Sequence, residues 1–237
     1  MDEDEKTCLP FSQVCFKERF LSLLIFIMAL LILGPLLEEF VQLRILMDVL
    51  WTAVFVSAIY TVSQKKHHIF IAILLALPML GALWSGHFME HYALQVVGYL
   101  CGAAFILFTI VQMLIFIYDQ KEVTRDLIVG AAVVYLLMAI MWTFIFSVVE
   151  TLHPGSFNFP EDVALKPIGQ FLYYSFVTLT TLGYGDITPA TRLARSLSTI
   201  EAVIGQLYLV VQVAWLVGLH VSQSMLKKSR QDDEEGE

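Results

Sequence analysis

Near its C-terminal end the chain carries Thr180-Thr181-Leu182-Gly183-Tyr184-Gly185-Asp186, and the chemistry such a stretch can offer is that of backbone oxygen. Glycine takes dihedral angles closed to other residues, so glycines on either side of a tyrosine let an extended segment turn successive carbonyls toward one axis. One segment supplies a column of oxygens, and the Thr181 hydroxyl can add another at its inner end. Several columns around an axis would stack into rings that replace part of a cation's hydration shell. The sequence holds a single stretch of this kind, so rings require several chains. Elsewhere the residues show no nucleophile–base pair and no metal-ligand cluster, so neither an enzyme nor a bound cofactor is expected. Cys8, Cys15 and Cys101 are odd in number and lack ligand spacing, which points away from disulfides and metal sites.

The elements that hold this stretch must work in lipid. Of 237 residues, 58% are hydrophobic and 15% charged, with a mean hydropathy of +0.73, too apolar for an ordinary soluble domain. A hydrocarbon core of roughly 30 Å needs about 20 apolar helical residues to cross it. Runs at 20–37, 41–63, 69–85, 92–118, 126–149 and 193–223 qualify, the third interrupted by Pro78 and Gly81. The first run follows an acidic and mixed-charge segment and lacks the basic start of a cleaved signal, so it reads as a retained helix. The net charge of −8 sits largely in the acidic ends "MDEDEK" and "DDEEGE", which excludes a nucleic-acid-binding surface.

Loop charges test the count of six, because cytoplasmic loops collect Lys and Arg. With both ends inside, Lys6, Lys17, Arg19, Lys65, Lys66, Lys121, Arg125, Lys227, Lys228 and Arg230 face the cytoplasm, which is 10 of the 14 basic residues. The stretch from about 150 to 192 fits none of the full spans. Pro154, Gly155, Pro160 and Pro167 break it, yet "IGQFLYYSFVTLTTL" is apolar and aromatic enough to enter the membrane. A re-entrant segment is expected, with Pro167 in the first turn of a short helix, where its missing N–H costs nothing.

With "YYSFV" before it and a long apolar run after it, "TLTTLGYGD" resembles the signature of tetrameric potassium channels, over the region from the fifth span through the sixth. That resemblance, and not spacing, carries the carbonyl mechanism over to this chain. It implies an ion-coordinating filter at Thr181, Leu182, Gly183, Tyr184 and Gly185, with potassium held at Thr181 to Tyr184 and Asp186 at the outer mouth. Leu182 stands where the family usually has Val. Thr180, Tyr173, Tyr174 and Val177 fall at supporting positions, the tyrosines matching the aromatic pair that packs around the filter. Val177 replaces a carboxylic acid found there in some members, so Asp186 has no carboxyl partner at that position.

Within the sixth span, Glu201 is a costly charge in lipid. It is expected to be protonated or hydrogen-bonded behind the filter, to a threonine of the re-entrant helix, or else to be a water-accessible carboxylate. Gly205 matches the family's hinge glycine, although close packing explains a membrane glycine equally well. Gln206, Leu209, Val213 and Val217 share one helix face, which by resemblance lines the inner cavity; packing against the fifth span is the alternative. From Tyr92 to Tyr118 there is no Arg, Lys, Asp or Glu. Voltage-sensing relatives carry arginines on their fourth span, each worth about 2.3 kcal/mol per 100 mV, so strong voltage gating is not expected.

Together these readings describe an all-α integral membrane protein of six transmembrane helices, with a re-entrant pore helix and filter between the fifth and sixth. Its parts are a cytoplasmic segment 1–19, a four-helix peripheral domain 20–118, a pore domain 126–223 and an acidic tail 224–237. The expected function is a homotetrameric, potassium-selective channel of the cell membrane, multi-pass with both ends cytoplasmic, contacting lipids but neither nucleic acid nor a soluble substrate. The alternatives are a weakly selective cation channel and a non-conducting regulatory subunit.

Overall fold

The computed structural model describes residues 19–39, 44–62, 66–85, 92–120, 122–160 and 167–234. Residues 1–18, with Lys6, Cys8, Cys15 and Lys17, and the loop lysines Lys65, Lys121 and Lys166 lie outside them.

Where water is excluded, a backbone must satisfy its own polar groups, and the apolar runs accordingly form helices. In chain order these are α1 (Arg19–Glu39), α2 (Arg44–Val62), α3 (Lys66–Ser85), α4 (Tyr92–Asp119) and α5 (Arg125–Leu152). The strand β1 (Phe157–Asn158) follows, then α6 (Pro167–Leu179), β2 (Thr188–Pro189) and α7 (Arg192–Glu234). The bounds fall within three residues of the sequence expectation, except that α7 continues past 223, so the segment expected as an acidic tail is helical as far as Glu234. Among the described residues five stretches are long and apolar enough to cross a membrane: Ile45–Val62, His67–Trp84, Tyr92–Asp119, Arg125–Leu152 and Arg192–Met225. The described apolar stretch of α1, Phe20–Gly34, is shorter.

Residue size sets how closely the helices cross. Gly98 of α4 lies against Ala82 of α3, where a Cβ would collide with the alanine methyl, and Gly102 four residues on faces Met79 and Phe144. Small residues at this spacing let two helices approach without side chains between them. Pro78 sits inside α3 without ending it. α5 is the central helix: 72% of its apolar span is buried, against 11% for α7. Phe144 of α5 packs with Trp51 and Phe55 of α2 and with Tyr99 of α4, tying those two helices to it.

α6 has 13 residues, roughly 20 Å at 1.5 Å per residue, too short to cross a bilayer. Antiparallel pairing of Phe157 with Pro189 and of Asn158 with Thr188 brings the chain before α6 beside the chain after residue 186. The strands on either side of α6 in the chain thus lie next to each other. Glu150, in the last turn of α5, faces the negative end of its own helix. Its oxygens instead accept from the backbone N–H of Gly155 at 2.7 Å and of Phe157 at 3.1 Å, which fixes the turn that leads into β1. Ser156 O then accepts from Ala190 N at 2.8 Å, and Thr191 Oγ1 caps α7 by accepting from Ala194 N.

Gly98→Val should force α3 and α4 apart and lower stability by about 1–3 kcal/mol, read as a lower denaturation midpoint in detergent with helical content kept. Glu150→Ala should cost about 1 kcal/mol by removing two charge-assisted bonds, one of them exposed to water, and should speed proteolysis between residues 153 and 160 ahead of global unfolding.

Candidate functional site

Residues 180–186 are all exposed in the protomer and lack regular secondary structure. Their backbone follows a definite pattern. Thr181, Gly183 and Gly185 have φ of +60°, +58° and +80°, while Leu182 and Tyr184 between them do not take positive values. For the glycines this is free. Thr181 is β-branched and the one non-glycine residue with positive φ among the described residues, a conformation that costs of order 1–3 kcal/mol and persists only when its surroundings impose it.

The C-terminal end of α6 imposes it. Val177 O, one of the carbonyls a helix end leaves free, accepts from Leu182 N at 2.9 Å and Gly183 N at 3.2 Å. Thr181 N bonds to Thr178 O at 3.0 Å, and Phe176 O accepts from both the amide and the hydroxyl of Thr180. Leu179 O is held by the Tyr135 phenol of α5 at 3.0 Å. Thr180 thus supports the stretch through backbone turns, and Val177, buried, contributes its carbonyl more than its side chain.

The two tyrosines diverge. Tyr173 Oη donates to Asp186 Oδ2 at 2.7 Å, so the acid at the end of the stretch is tied to α6 through a phenol, at the end where no carboxyl partner was expected. Partial desolvation, together with this bond and the Asp186 charge, pushes the Tyr173 phenol up to about 12. Tyr174 is buried and turns away from the stretch: its hydroxyl donates to Ser198 Oγ at 2.6 Å, and Ser198 in turn donates to Ala194 O at 2.8 Å. It sits in an aromatic cluster with Phe146, Phe157 and Phe171 where α5, β1 and α6 meet.

Glu201 is fully buried, so the water-accessible reading fails. Its hydroxyl partner is Ser175 of α6, not a threonine, because the crossing of α6 and α7 brings that side chain opposite it. One turn further along both helices Gly205 meets Leu179: a Cβ there would lie 2.6 Å from Leu179 Cδ1 and 3.1 Å from Leu179 O. Gly205 is therefore a close-packing glycine. The face carrying Gln206, Leu209, Val213 and Val217 is exposed along its length, and α7 contacts α5 through Tyr208, whose hydroxyl donates to Ala131 O at 2.8 Å. The alternative of packing on α5 does not hold for that face.

Sequence reasoning passed over Tyr135, Glu150, Ser175 and Ser198. Glu150 had a signal, since a carboxylate in a helix's last turn opposes the dipole and needs another partner; the hydroxyls had none. The sequence places this site in company with known proteins. Residues 104–219, from within α4 to α7, match the family model described as an ion channel. Over 52 residues the chain is 44% identical to the two pore potassium channel c of Oryza sativa subsp. japonica, a stretch covering 22% of this chain and 11% of that relative. The chain thus spans about a tenth of the length of the relative it matches, and the similarity is to a channel segment.

Proposed function

We propose that this chain forms a potassium-selective channel in which residues 181–185 are the filter. The observation that carries the reading is the alternation of positive φ at Thr181, Gly183 and Gly185 within an exposed stretch. In a strand successive carbonyls point to opposite sides; alternating the hand of the backbone can bring them to one side, as a column of ion-coordinating oxygens requires. Potassium would exchange water for carbonyls of Thr181, Leu182, Gly183 and Tyr184, with Thr181 Oγ1 at the inner end. α6 ends at Leu179, so its negative dipole end would lie at the base of the filter and favour a cation there. No covalent step is involved.

One column is a quarter of a site. Leu182 and Tyr184 are 55% and 66% exposed, and α7 leaves Val203, Leu207 and Val210 uncovered, surfaces that neighbouring chains would bury. Four copies around an axis complete the rings. In that assembly the face of Gln206, Leu209, Val213 and Val217 lines the cavity, α1 to α4 form the peripheral domain 20–118, α1 serves as a sixth span, and both ends lie in the cytoplasm. From Tyr92 to Tyr118 α4 carries no charged side chain that could serve as a gating charge. Gly205 would act as hinge only where bending relieves its contact with Leu179. The match to an ion channel family and the similarity to a protein named as a potassium channel support this reading.

The test is the reversal potential of purified protein in a planar bilayer with potassium on one side and sodium on the other. The expected value lies near the potassium equilibrium potential, from a complex with the mass of four chains. Current reversing near zero would instead mean that Leu182 has loosened the filter into a weakly selective pore. Silence, from a chain that purifies as a monomer, would mean a regulatory subunit.

A further inference from the structure

Two relays of hydroxyl groups tie α6 to its neighbours, and they differ in one respect. In the first, each hydrogen is accounted for: Tyr174 Oη donates to Ser198 Oγ, and Ser198 Oγ donates to Ala194 O. In the second, Ser175 Oγ lies 2.8 Å from Ala139 O of α5 and also in hydrogen-bond contact with Glu201 Oε1 of α7. A serine hydroxyl has one hydrogen. Ala139 O, a carbonyl, has none to give. If the serine hydrogen went to Glu201, Ser175 Oγ and Ala139 O would face each other at 2.8 Å with no hydrogen between them. The contacts are satisfied together only when the carboxyl supplies the second hydrogen.

The surroundings point the same way. Ser175 and Glu201 are both fully buried. Glu201 Oε2 has no hydrogen-bond partner, and no cation acts on the carboxyl among the described residues. A buried carboxylate with one oxygen unsolvated and no counter-charge is far costlier than a neutral acid in the same place. The ionisable groups that face it are the phenols of Tyr135 on α5 and Tyr174 on α6, each with its hydrogen committed elsewhere, to Leu179 O and Ser198 Oγ. On α7 itself the nearest basic side chain, Arg195, donates to Pro189 O.

We propose that Glu201 is a neutral carboxylic acid that donates its proton to Ser175 Oγ, so that a single bound proton fastens α5, α6 and α7 together. The lock sits one helical turn from the Leu179–Gly205 contact, at the end of α6 from which residues 180–186 hang. On the channel reading above, on which this role rests, Glu201 is a positioning residue for the filter, and losing the proton would leave a bare charge between three helices.

Two measurements on the full chain in detergent test the proton directly. Infrared difference spectra at neutral pH, wild type against Glu201→Gln, should show the C=O stretch of a protonated carboxyl that the variant lacks. In Ser175→Ala the band should move to higher frequency as its acceptor is lost. Linkage supplies the second. At neutral pH the folded chain would hold one proton that the unfolded chain has released, and stability falls with rising pH when the native state binds more protons. The denaturation midpoint should therefore fall more steeply with pH in wild type than in Glu201→Gln, by a tenfold change in the folding equilibrium per pH unit. Identical spectra in the carboxyl region, or parallel pH slopes, would overturn the proposal even where Ser175→Ala fails to fold. Neither measurement needs current, so a silent bilayer would count against the channel reading alone.

Discussion

The structure is organised around seven residues of backbone that have no secondary structure of their own and cannot be left to water and chance. Residues 180–186 hold alternating backbone hands, including a positive φ at a β-branched threonine, which no local preference would produce. What holds them is a helix end. The free carbonyls of the last turn of α6, above all Val177 O, accept the amides that the irregular stretch would otherwise orphan. The position of α6 is thus the quantity that the remaining contacts must fix.

Those contacts come from every side the protomer offers. From α5, Tyr135 reaches Leu179 O, and Ala139 O takes the Ser175 hydroxyl. On α7 the partners are Ser198, Glu201 and Gly205. The β1–β2 pair and the Glu150 clamp hold the chain before α6 against the chain after residue 186. Polar groups do much of this work because apolar packing supplies little orientation between helices that lipid also accommodates, whereas a hydrogen bond in a buried setting fixes direction and height. Steric contact adds the stop, since Gly205 lets α7 approach until Leu179 fills the space a side chain would take.

A division of labour between helices follows. α5 is buried on nearly all sides and carries the fold, while α7 is exposed along most of its length and holds its place through a single stripe at Glu201, Gly205, Tyr208 and Gln212. Exposure of the irregular stretch on the same molecule leaves one chain with both an uncovered backbone segment and a long apolar helix facing outward.

By itself the sequence determined the helices, because long apolar runs have few ways to satisfy their backbone in lipid, and it marked the candidate site, because Gly-Tyr-Gly behind two threonines is locally unusual. It also kept the fourth helix free of charge from Tyr92 to Tyr118. It did not determine which partner Glu201 would find. Ser175 lies 26 residues away in the chain, and only the crossing of α6 with α7 selects it over the threonines three and five positions further along. The same crossing decided that Gly205 is a packing contact and that Tyr174 turns toward Ser198 while Tyr173 holds Asp186. Residue type states what a side chain can bond to; the rotation and height of one helix against another decide whether the partner is there, and those are properties of packed surfaces that no linear spacing encodes.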